Sequence, residues 1–451
     1  MGRYKQHIPD LKIYAITLFL LVGFAFWIKI MDIGSHWQQA GLTTFSLGFI
    51  LLAAFMTAQI LRIAGLPLIS GYIFVGILAG PYITEFLSHD MVSRFRLVDD
   101  LALSFIALTA GGTLQLQFLK KRGKAIAINI VLLTVVVFVA VFFSFFFMVR
   151  RFTLMPNLTD AQIMVLACFL GVIAVARSPS SAIAIINECR ASGIFTTTVL
   201  GVTVAMDVLI IVFFTLAMTA SEIIIGAGTA IDFWMITGLT LAVVGSLALG
   251  IVLGKGISLY IDKVGHDLSL FLLFFAFSIF KASIWFNQFM EVHFAVSLHL
   301  EPLLICISTG FTVQNFSTYG YIFMEAMERF ALPIFVLFFS IAGASLNLDA
   351  LLMTWPLAAF LVMIRTLGIF GSTWVAGILN RDASLHRRVA WMAYLTQAGV
   401  AIGLAQLAQR RFPELGGYLT TLVLAVITIN QVVGPITFKI ALKKTGEVEQ
   451  E

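Results

Sequence analysis

Long apolar segments recur along the whole chain, and they constrain the fold more than any other feature of the sequence. A helix that crosses a bilayer needs about 20 mostly apolar residues. Because the apolar stretches do not alternate polar and apolar residues, as membrane strands do, we predict an all-α polytopic membrane protein of about 14 transmembrane helices. The candidate spans are residues 12–30, 41–62, 66–82, 98–116, 125–149, 162–187, 194–220, 231–254, 268–286, 292–312, 320–345, 350–379, 388–408 and 417–441.

The composition excludes several other classes of protein. Charged residues make up 11% of the 451 residues, whereas soluble domains carry about 25%. This excludes a soluble globular protein, a disordered chain and a nucleic-acid-binding protein. The three cysteines, Cys168, Cys189 and Cys306, are odd in number and lack metal-ligand spacing. We therefore expect neither a disulfide framework nor a zinc site, and no cofactor.

The distribution of basic residues predicts the orientation in the membrane. Of the 28 Lys and Arg residues, 17 fall on the side of the N terminus, 7 on the other side and 4 within spans. Cytoplasmic loops carry the excess of Lys and Arg, and the loop 120–124 contributes most to it. We therefore expect an integral protein of the plasma (inner) membrane with both termini in the cytoplasm.

Two pairs of distant stretches resemble each other at nearly equal separations along the chain. Thr109–Leu116 is similar to Ile341–Leu348, and Gly76–Pro81 is similar to Gly310–Asn315. An odd number of spans separates the copies, which predicts an inverted repeat of two six-helix units, typical of secondary transporters. The alternative is a similarity common to Gly-rich packed helices. The predicted segments are an extra N-terminal helix (1–40), a first repeat (41–220), a linker helix (221–267), a second repeat (268–441) and a short cytoplasmic tail (442–451).

The repeat pairs the sixth span with the thirteenth, and each of these spans carries an interruption. Pro179 lies inside Ala176–Ser181, and proline lacks the backbone donor that a helix interior requires. A weaker break occurs at Leu395–Gly399. Because two broken helices at equivalent positions mark binding sites in transporters, we expect an ion site there.

Four basic residues lie within the predicted spans: Arg177, Lys281, Arg329 and Arg365. Arg329 stands one helical turn from Glu325 and is expected to pair with it. Lys281 lies close to a span end, from which its ammonium group can reach the interface. Arginine keeps its proton in proteins, so we interpret Arg177 and Arg365 as residues that organise the site rather than as proton carriers.

Acidic residues inside the spans are the candidates for ion and proton binding. Asp207 lies at the centre of 194–220, flanked by apolar residues, with no basic residue within one helical turn. Burial disfavours the charged form of a carboxyl group, so Asp207 can alternate between a proton and a cation. The alternative is an ion pair with an arginine of another helix. Glu301, followed by Pro302, also falls within a span and remains unexplained. An intramembrane aspartyl protease needs two facing carboxylates, and in this sequence only Asp207 is plainly central in a span. We therefore expect that the chain is not an enzyme.

Four motifs follow one another in a recognisable order. They are Gly65–Tyr72 leading to Gly80-Pro81, Ser178-Pro179, Leu200–Asp207 and Thr396–Ala401. In this order and spacing, over about residues 41–441, the chain resembles the cation:proton antiporter superfamily of the sodium/proton exchanger type. The resemblance implies a core domain with two crossed discontinuous helices, a dimerisation domain and elevator-like alternating access, with a homodimer as the assembly.

The resemblance also implies roles for individual residues. Asp207 is the expected ion-binding carboxylate, and Arg365 matches the basic residue that the family carries on its penultimate unbroken helix. A hard cation takes oxygen ligands, and this preference adds further candidates around the breaks. The ion- and proton-binding candidates are Asp207, Ser178, Thr203 and Thr396, with Asp207 holding the transported cation. The candidate organisers are Arg177, Pro179, Arg365 and Gln397.

Two departures from the family pattern bear on the transported ion. Met206-Asp207 stands where electrogenic members have two acids and electroneutral ones Asn-Asp, and Arg177 replaces a small hydroxyl residue. With one acid we expect electroneutral exchange of one monovalent cation, sodium or potassium, for one proton. The alternatives are an anion carrier of the same fold, favoured by the positive charge at the break, and a non-transporting sensor or partner-gated membrane component.

Overall fold

The computed structural model describes residues 11–30, 39–63, 65–152, 158–225, 233–294, 300–397 and 399–448, and within these ranges the regular elements are helices. In chain order they are α1 (Leu11–Ile30), α2 (Gln39–Ile63), α3 (Leu68–Ala79), α4 (His89–Arg94), α5 (Arg96–Thr113), α6 (Leu116–Phe152), α7 (Asp160–Val175), α8 (Pro179–Glu188), α9 (Ile194–Ile225), α10 (Phe233–Lys263), α11 (Leu268–Phe294), α12 (Pro302–Phe316), α13 (Gly320–Ala344), α14 (Leu348–Leu379), α15 (Ser384–Val389), α16 (Gly399–Arg411) and α17 (Pro413–Thr445). Parts of the predicted segments 1–40, 221–267 and 442–451 lie outside the described residues.

Helix length and composition identify the segments that can cross a membrane. Among the described residues, eight segments are long and apolar enough, including Asp160–Glu188, which is interrupted between α7 and α8. They are Thr44–Ile63, Lys120–Phe152, Asp160–Glu188, Ile194–Met218, Leu241–Lys263, Leu268–Met290, Leu348–Leu379 and Pro413–Thr445. Shorter apolar helices include α3 and part of α16. The all-helical membrane fold is therefore observed, and the count of about 14 spans stays a prediction.

The predicted span 292–312 is wrong as a single helix. The structure continues α11 to Phe294 and begins α12 only at Pro302, with residues 295–299 outside the described part. Proline fits the first turn of a helix because the first backbone N–H groups have no partner within the helix. Glu301 is consequently the residue before a helix and not a residue inside one.

The chain divides into two compact units, of which the first comprises Met1–Ala102 and Leu332–Leu346. In this unit α3 packs on α2. It also crosses the part of α13 that belongs to the unit, residues 332–344, at two glycines. A Cβ at Gly76 would overlap the carbonyl oxygen of Ser340, and one at Gly343 would overlap that of Ile73. The two helices therefore approach each other backbone to backbone, as small residues allow in membrane proteins.

The second unit comprises Leu103–Ala331 and Asn347–Glu451. Here α14 packs against α6 and α17, α9 packs against α6 and α7, and α10 packs against α12. The part of α5 that belongs to this unit, residues 103–113, crosses α12 at Gly111 and Gly310. A Cβ at Gly111 would overlap the carbonyl oxygen of Ile307, and one at Gly310 would overlap that of Leu108. Both broken helices, and every candidate site residue, belong to this unit.

Candidate functional site

The first break separates α7 from α8 at residues 176–178. Pro179 begins α8, and a residue before proline is disfavoured in the helical conformation. Ser178 accordingly has an extended backbone (φ −109°, ψ 100°) and caps α8, since its hydroxyl oxygen accepts from the N–H of Ser181 at 3.2 Å. The same hydroxyl donates to the hydroxyl oxygen of Ser181 at 2.9 Å. The break leaves carbonyl groups at the end of α7 outside the helical hydrogen-bond ladder.

The second break lies at residues 394–397, between a 3₁₀ turn at 390–393 and α16. The two breaks touch each other, because the N–H of Ser178 donates to the carbonyl oxygen of Thr396 at 3.2 Å. Gly434 of α17 allows this approach, since a Cβ there would lie 2.7–2.9 Å from atoms of Thr396. We call these two stretches, residues 176–178 and 394–397, the break crossing.

A side-chain amide also connects the two broken helices. The Gln397 Nε2 donates to the carbonyl oxygen of Ile173 at 3.1 Å, and its Oε1 accepts from Asn430 Nδ2 at 2.8 Å. Both amides are buried. Gln397 therefore links the second break to α7, and Asn430, which the sequence did not single out, holds its amide oxygen.

Arg365 of α14 holds both sides of the break crossing together. Its side chain is 1% exposed, and it donates to carbonyl oxygens only. Nε and Nη2 donate to Ala174 and Ala176 at 2.9 and 3.2 Å, while Nη1 and Nη2 donate to Leu395 and Tyr394 at 2.9 and 3.4 Å. The guanidinium thus satisfies carbonyl groups that the two breaks release from their helices.

Arg177 lies in the same place, with fewer partners. It is 2% exposed, and its Nη1 donates to the carbonyl oxygens of Ala174 and Ala176, which Arg365 also uses. Its Nε and Nη2 have no hydrogen-bond partner among the described residues. Two buried guanidinium groups therefore share two neutral acceptors, which gives the break crossing a positive charge.

Asp207 lies near the middle of α9, as expected from the sequence. Its Oδ1 atom is buried and has no hydrogen-bond partner among the described residues. The hydroxyl of Thr203, one turn earlier, donates to the carbonyl oxygen of Val199 at 2.8 Å. In the part of the chain that the structure describes, Asp207 is joined by a hydrogen bond neither to Arg177 nor to Arg365. The alternative of a permanent arginine pair therefore has no support in this structure.

Glu301 is an acid that the sequence left unexplained, and the structure places it immediately before α12. Its backbone N–H donates to the hydroxyl oxygen of Ser246 on α10 at 2.9 Å, and that hydroxyl donates to the carbonyl oxygen of Ala242 at 2.7 Å. The backbone before α12 is therefore held against α10.

Several other charged residues form ion pairs or charge-assisted hydrogen bonds. Arg329 pairs with Glu325 at 3.2 Å on an exposed surface, as predicted. Glu188, at the end of α8, forms a buried ion pair with Lys439 at 2.8 Å. At the first turn of α9, the carboxylate of Glu447 accepts from the N–H groups of Phe195 and Thr196, both at 2.7 Å. We call Glu188, Lys439, Glu447 and the first turn of α9 the end clasp.

Comparisons with known proteins agree on one family and one fold. A family model described as sodium/hydrogen exchanger, transmembrane, matches residues 49–444. The chain is similar in structure to the sodium proton antiporter MjNhaP1 from Methanocaldococcus jannaschii at pH 8, with a TM-score of 0.62, 15% identity, and coverage of 90% of this chain and 97% of that one. The structure from an electron-microscopy map of the same antiporter gives a TM-score of 0.70 at 15% identity, covering 92% and 100%. No curated protein sequence matches the chain.

Proposed function

Because this chain belongs to the sodium/hydrogen exchanger family, we propose that it exchanges a monovalent cation for a proton, with Asp207 binding the two in turn. The observation that carries the proposal is the buried Oδ1 of Asp207, which has no hydrogen-bond partner among the described residues. An unpaired buried carboxylate is costly, and either a proton or a cation removes that cost. Sodium is the expected cation from the family, and potassium is the alternative.

Oxygen atoms around the break crossing supply the remaining ligands of the proposed cation. Sodium and potassium are hard cations that bind hydroxyl, carbonyl and carboxylate oxygens. Ser178 and Thr396 meet at the crossing, and Thr203 lies one turn from Asp207. The hydroxyl of Thr203 already donates to Val199, so its oxygen keeps lone pairs for a cation.

Four residues are proposed to organise the site without binding the proton. Pro179 produces the first break, and Gln397 fixes the second break against Ile173. Arg365 holds the carbonyl groups of both breaks. Arg177 adds a positive charge that weakens cation binding and favours release. With Asp207 as the exchanging group, each cycle moves one cation and one proton, and the exchange is electroneutral.

The wider architecture is proposed to follow the same family. The glycine crossings of α3 with α13 and of α5 with α12 repeat one packing pattern within each unit, which supports an inverted repeat. We further propose a homodimer in the plasma membrane, cytoplasmic termini and an elevator-like movement of the helices that carry the break crossing.

Proteoliposomes with an imposed pH gradient test the proposed exchange. Sodium, potassium or lithium added outside should dissipate the gradient in the wild type, and Asp207→Asn should abolish the effect while the protein still inserts into the membrane. Asp267→Asn is a matched control, because Asp267 is exposed and its backbone has φ 46°, which asparagine tolerates. A fully active Asp207→Asn protein, or a membrane potential generated by the exchange, would contradict the proposal.

A second candidate function, anion transport, is favoured by one observation. The Nε and Nη2 of Arg177 are buried donors without partners among the described residues, and anions bind such donors. In that case neither sodium nor potassium would dissipate the pH gradient. Arg177→Thr separates the two candidates, since it should strengthen cation exchange and weaken anion transport. Arg177→Lys keeps the charge and serves as its control.

A further inference from the structure

A cavity at one end of the second unit lies between α6, α9, α14, α15 and the second break. We propose that this cavity binds the phosphate group of an anionic phospholipid, with Arg387 as its principal donor. The proposal rests on where the cavity lies, on how Arg387 is held and on the balance of charge among the lining side chains.

The cavity lies at the ends of two helices that can cross a membrane. The apolar segment of α6 begins at Lys120, and that of α14 ends at Leu379. An ion pair of Arg122 with Asp382, at 2.9 Å, joins the start of the first segment to the turn that follows the second. Lipid headgroups occupy the layer in which the apolar part of a membrane helix ends. The cavity is therefore at the level of the headgroups.

The side chain of Arg387 is fixed against α14 without a partner for one of its donors. Gly377 makes room for it, since a Cβ there would overlap the Cγ of Arg387. The Nε of Arg387 is buried and has no hydrogen-bond partner among the described residues. A buried donor without a partner costs free energy. An acceptor that enters the cavity from outside the chain removes this cost.

The charges that line the cavity leave a positive excess. The basic side chains are Arg122, His386 and Arg387, and the acid is Asp382. Asp382 already pairs with Arg122, whose Nε also donates to the hydroxyl oxygen of Thr198 at 3.3 Å. In the described ranges Arg387 forms no ion pair. The uncompensated charge is therefore that of Arg387, and it favours an anion.

The chemistry of arginine indicates which anion fits. A guanidinium group presents its donors in a planar fork that matches the oxygens of a phosphate group. Basic pockets between membrane helices bind phospholipid headgroups in this way. The volume of the cavity is about 20 Å³, more than the roughly 10–15 Å³ that one water molecule requires. It can receive phosphate oxygens while the rest of a lipid stays outside.

Free phosphate offers the same oxygens, and two observations favour the lipid. The cavity lies at the level of the headgroups, as described above. In addition, Ile378, Leu379 and Leu385 have exposed apolar side chains, and they are neighbours in sequence of the lining residues Gly377 and His386. Acyl chains attached to the bound phosphate can cover such side chains, whereas an inorganic ion cannot.

An occupant of the cavity would also contact the second break. Tyr394 lines the cavity, and its carbonyl oxygen accepts a hydrogen bond from Nη2 of Arg365 at 3.4 Å. A bound headgroup thus holds α15 and the second break against α6 and α14. This role is separate from exchange, so its test needs no transport.

Thermal unfolding of the delipidated full chain in a neutral detergent measures the binding. The probes are dioctanoyl phosphatidylglycerol, dioctanoyl phosphatidylcholine and inorganic phosphate. Phosphatidylglycerol should raise the Tm of the wild type with saturation, and the other two probes should raise it much less. Arg387→Gln should weaken the apparent affinity for phosphatidylglycerol by about tenfold or more. Arg387→Lys, which keeps the charge and loses the fork, should lie between them.

Arg388→Gln is the matched control, because Arg388 is the exposed neighbour and is not among the lining residues. It should keep the wild-type affinity. Equal affinity of Arg387→Gln and the wild type, or equal weakening by Arg388→Gln, would overturn the site. An Arg387-dependent shift of the same size with inorganic phosphate or phosphatidylcholine would overturn the anionic lipid as the occupant.

Native mass spectrometry gives a second readout, which counts lipid molecules that stay bound. The wild type and Arg388→Gln should retain one phosphatidylglycerol more than Arg387→Gln does. Gly377→Ala should also lose it, since the added Cβ displaces the Arg387 side chain and keeps its charge. A purely structural role of Arg387 predicts lower stability of Arg387→Gln without lipid and the same number of bound lipids, and that result would overturn the proposal.

Discussion

The break crossing and the end clasp both contain buried charged side chains, and the two regions differ in the groups that these side chains meet. At the end clasp, Lys439 meets the carboxylate of Glu188, and Glu447 meets backbone N–H groups at the start of α9. At the break crossing, Arg177 and Arg365 meet neutral carbonyl oxygens. The pair of Glu188 and Lys439 balances charge with charge, whereas the two guanidinium groups of the break crossing meet neutral carbonyl oxygens and keep their charge.

This difference explains how the proposed site can hold two buried arginines while Asp207 forms no ion pair with either of them. A carbonyl oxygen accepts the hydrogen bonds of a guanidinium group and carries no charge to cancel it. Asp207 is therefore not consumed by a permanent ion pair, and its Oδ1 stays without a partner among the described residues. A buried ion pair like that of the end clasp would instead fix the carboxylate in place.

The largest effect is expected from removing Arg365. Arg365→Met leaves the carbonyl groups of both breaks without donors, and each buried unsatisfied group costs about 1–3 kcal/mol. We expect a loss of about 3 kcal/mol or more in stability, together with loss of exchange. Thermal unfolding in detergent measures the first, with Arg329→Met as an exposed control that should cost under about 1 kcal/mol. Wild-type stability of Arg365→Met would show that the crossing holds together without its guanidinium.

An intermediate effect is expected at the end clasp, where charge balances charge. Glu188→Gln or Lys439→Met alone breaks this pair by removing one of its two charges, and breaking a buried pair costs about 3 kcal/mol. The double variant removes both charges and should return to within about 1 kcal/mol of the wild type. A double-mutant cycle from thermal unfolding measures this coupling. Simple addition of the two single losses would contradict the comparison between the regions.

The smallest effect is expected from Glu447. Glu447→Gln keeps an acceptor for the first turn of α9 and removes the negative charge, so it should cost about 0.5–1 kcal/mol. Unfolding at low and high salt measures it, since salt screens interactions at an accessible helix end. Glu328→Gln, an exposed acid of α13, is the control. A loss as large as that of Arg365→Met would show that Glu447 stabilises the protein as strongly as the guanidinium group at the break crossing does.

Some parts of the site could be read from the sequence because their causes are local. Apolar length predicts membrane helices, since lipid offers no partners to an open backbone. Pro179 predicts the first break, because an imino acid removes a donor wherever it stands. Asp207 was recognisable for the same kind of reason, as an acid within a long apolar run. The family match over residues 49–444 confirms the resemblance that these motifs carried.

Other parts were decided only by the tertiary structure. The second break contains no proline, and it is held by contacts with distant residues: Arg365, Asn430 and Gly434. The partners of Arg365 and the pairing of Glu188 with Lys439 also depend on which helices pack together. Apolar length and proline affect the backbone where they occur, so a membrane helix or a helix break can be located from the sequence alone. Pairing between charges far apart in the chain depends on helix packing, which no local pattern encodes.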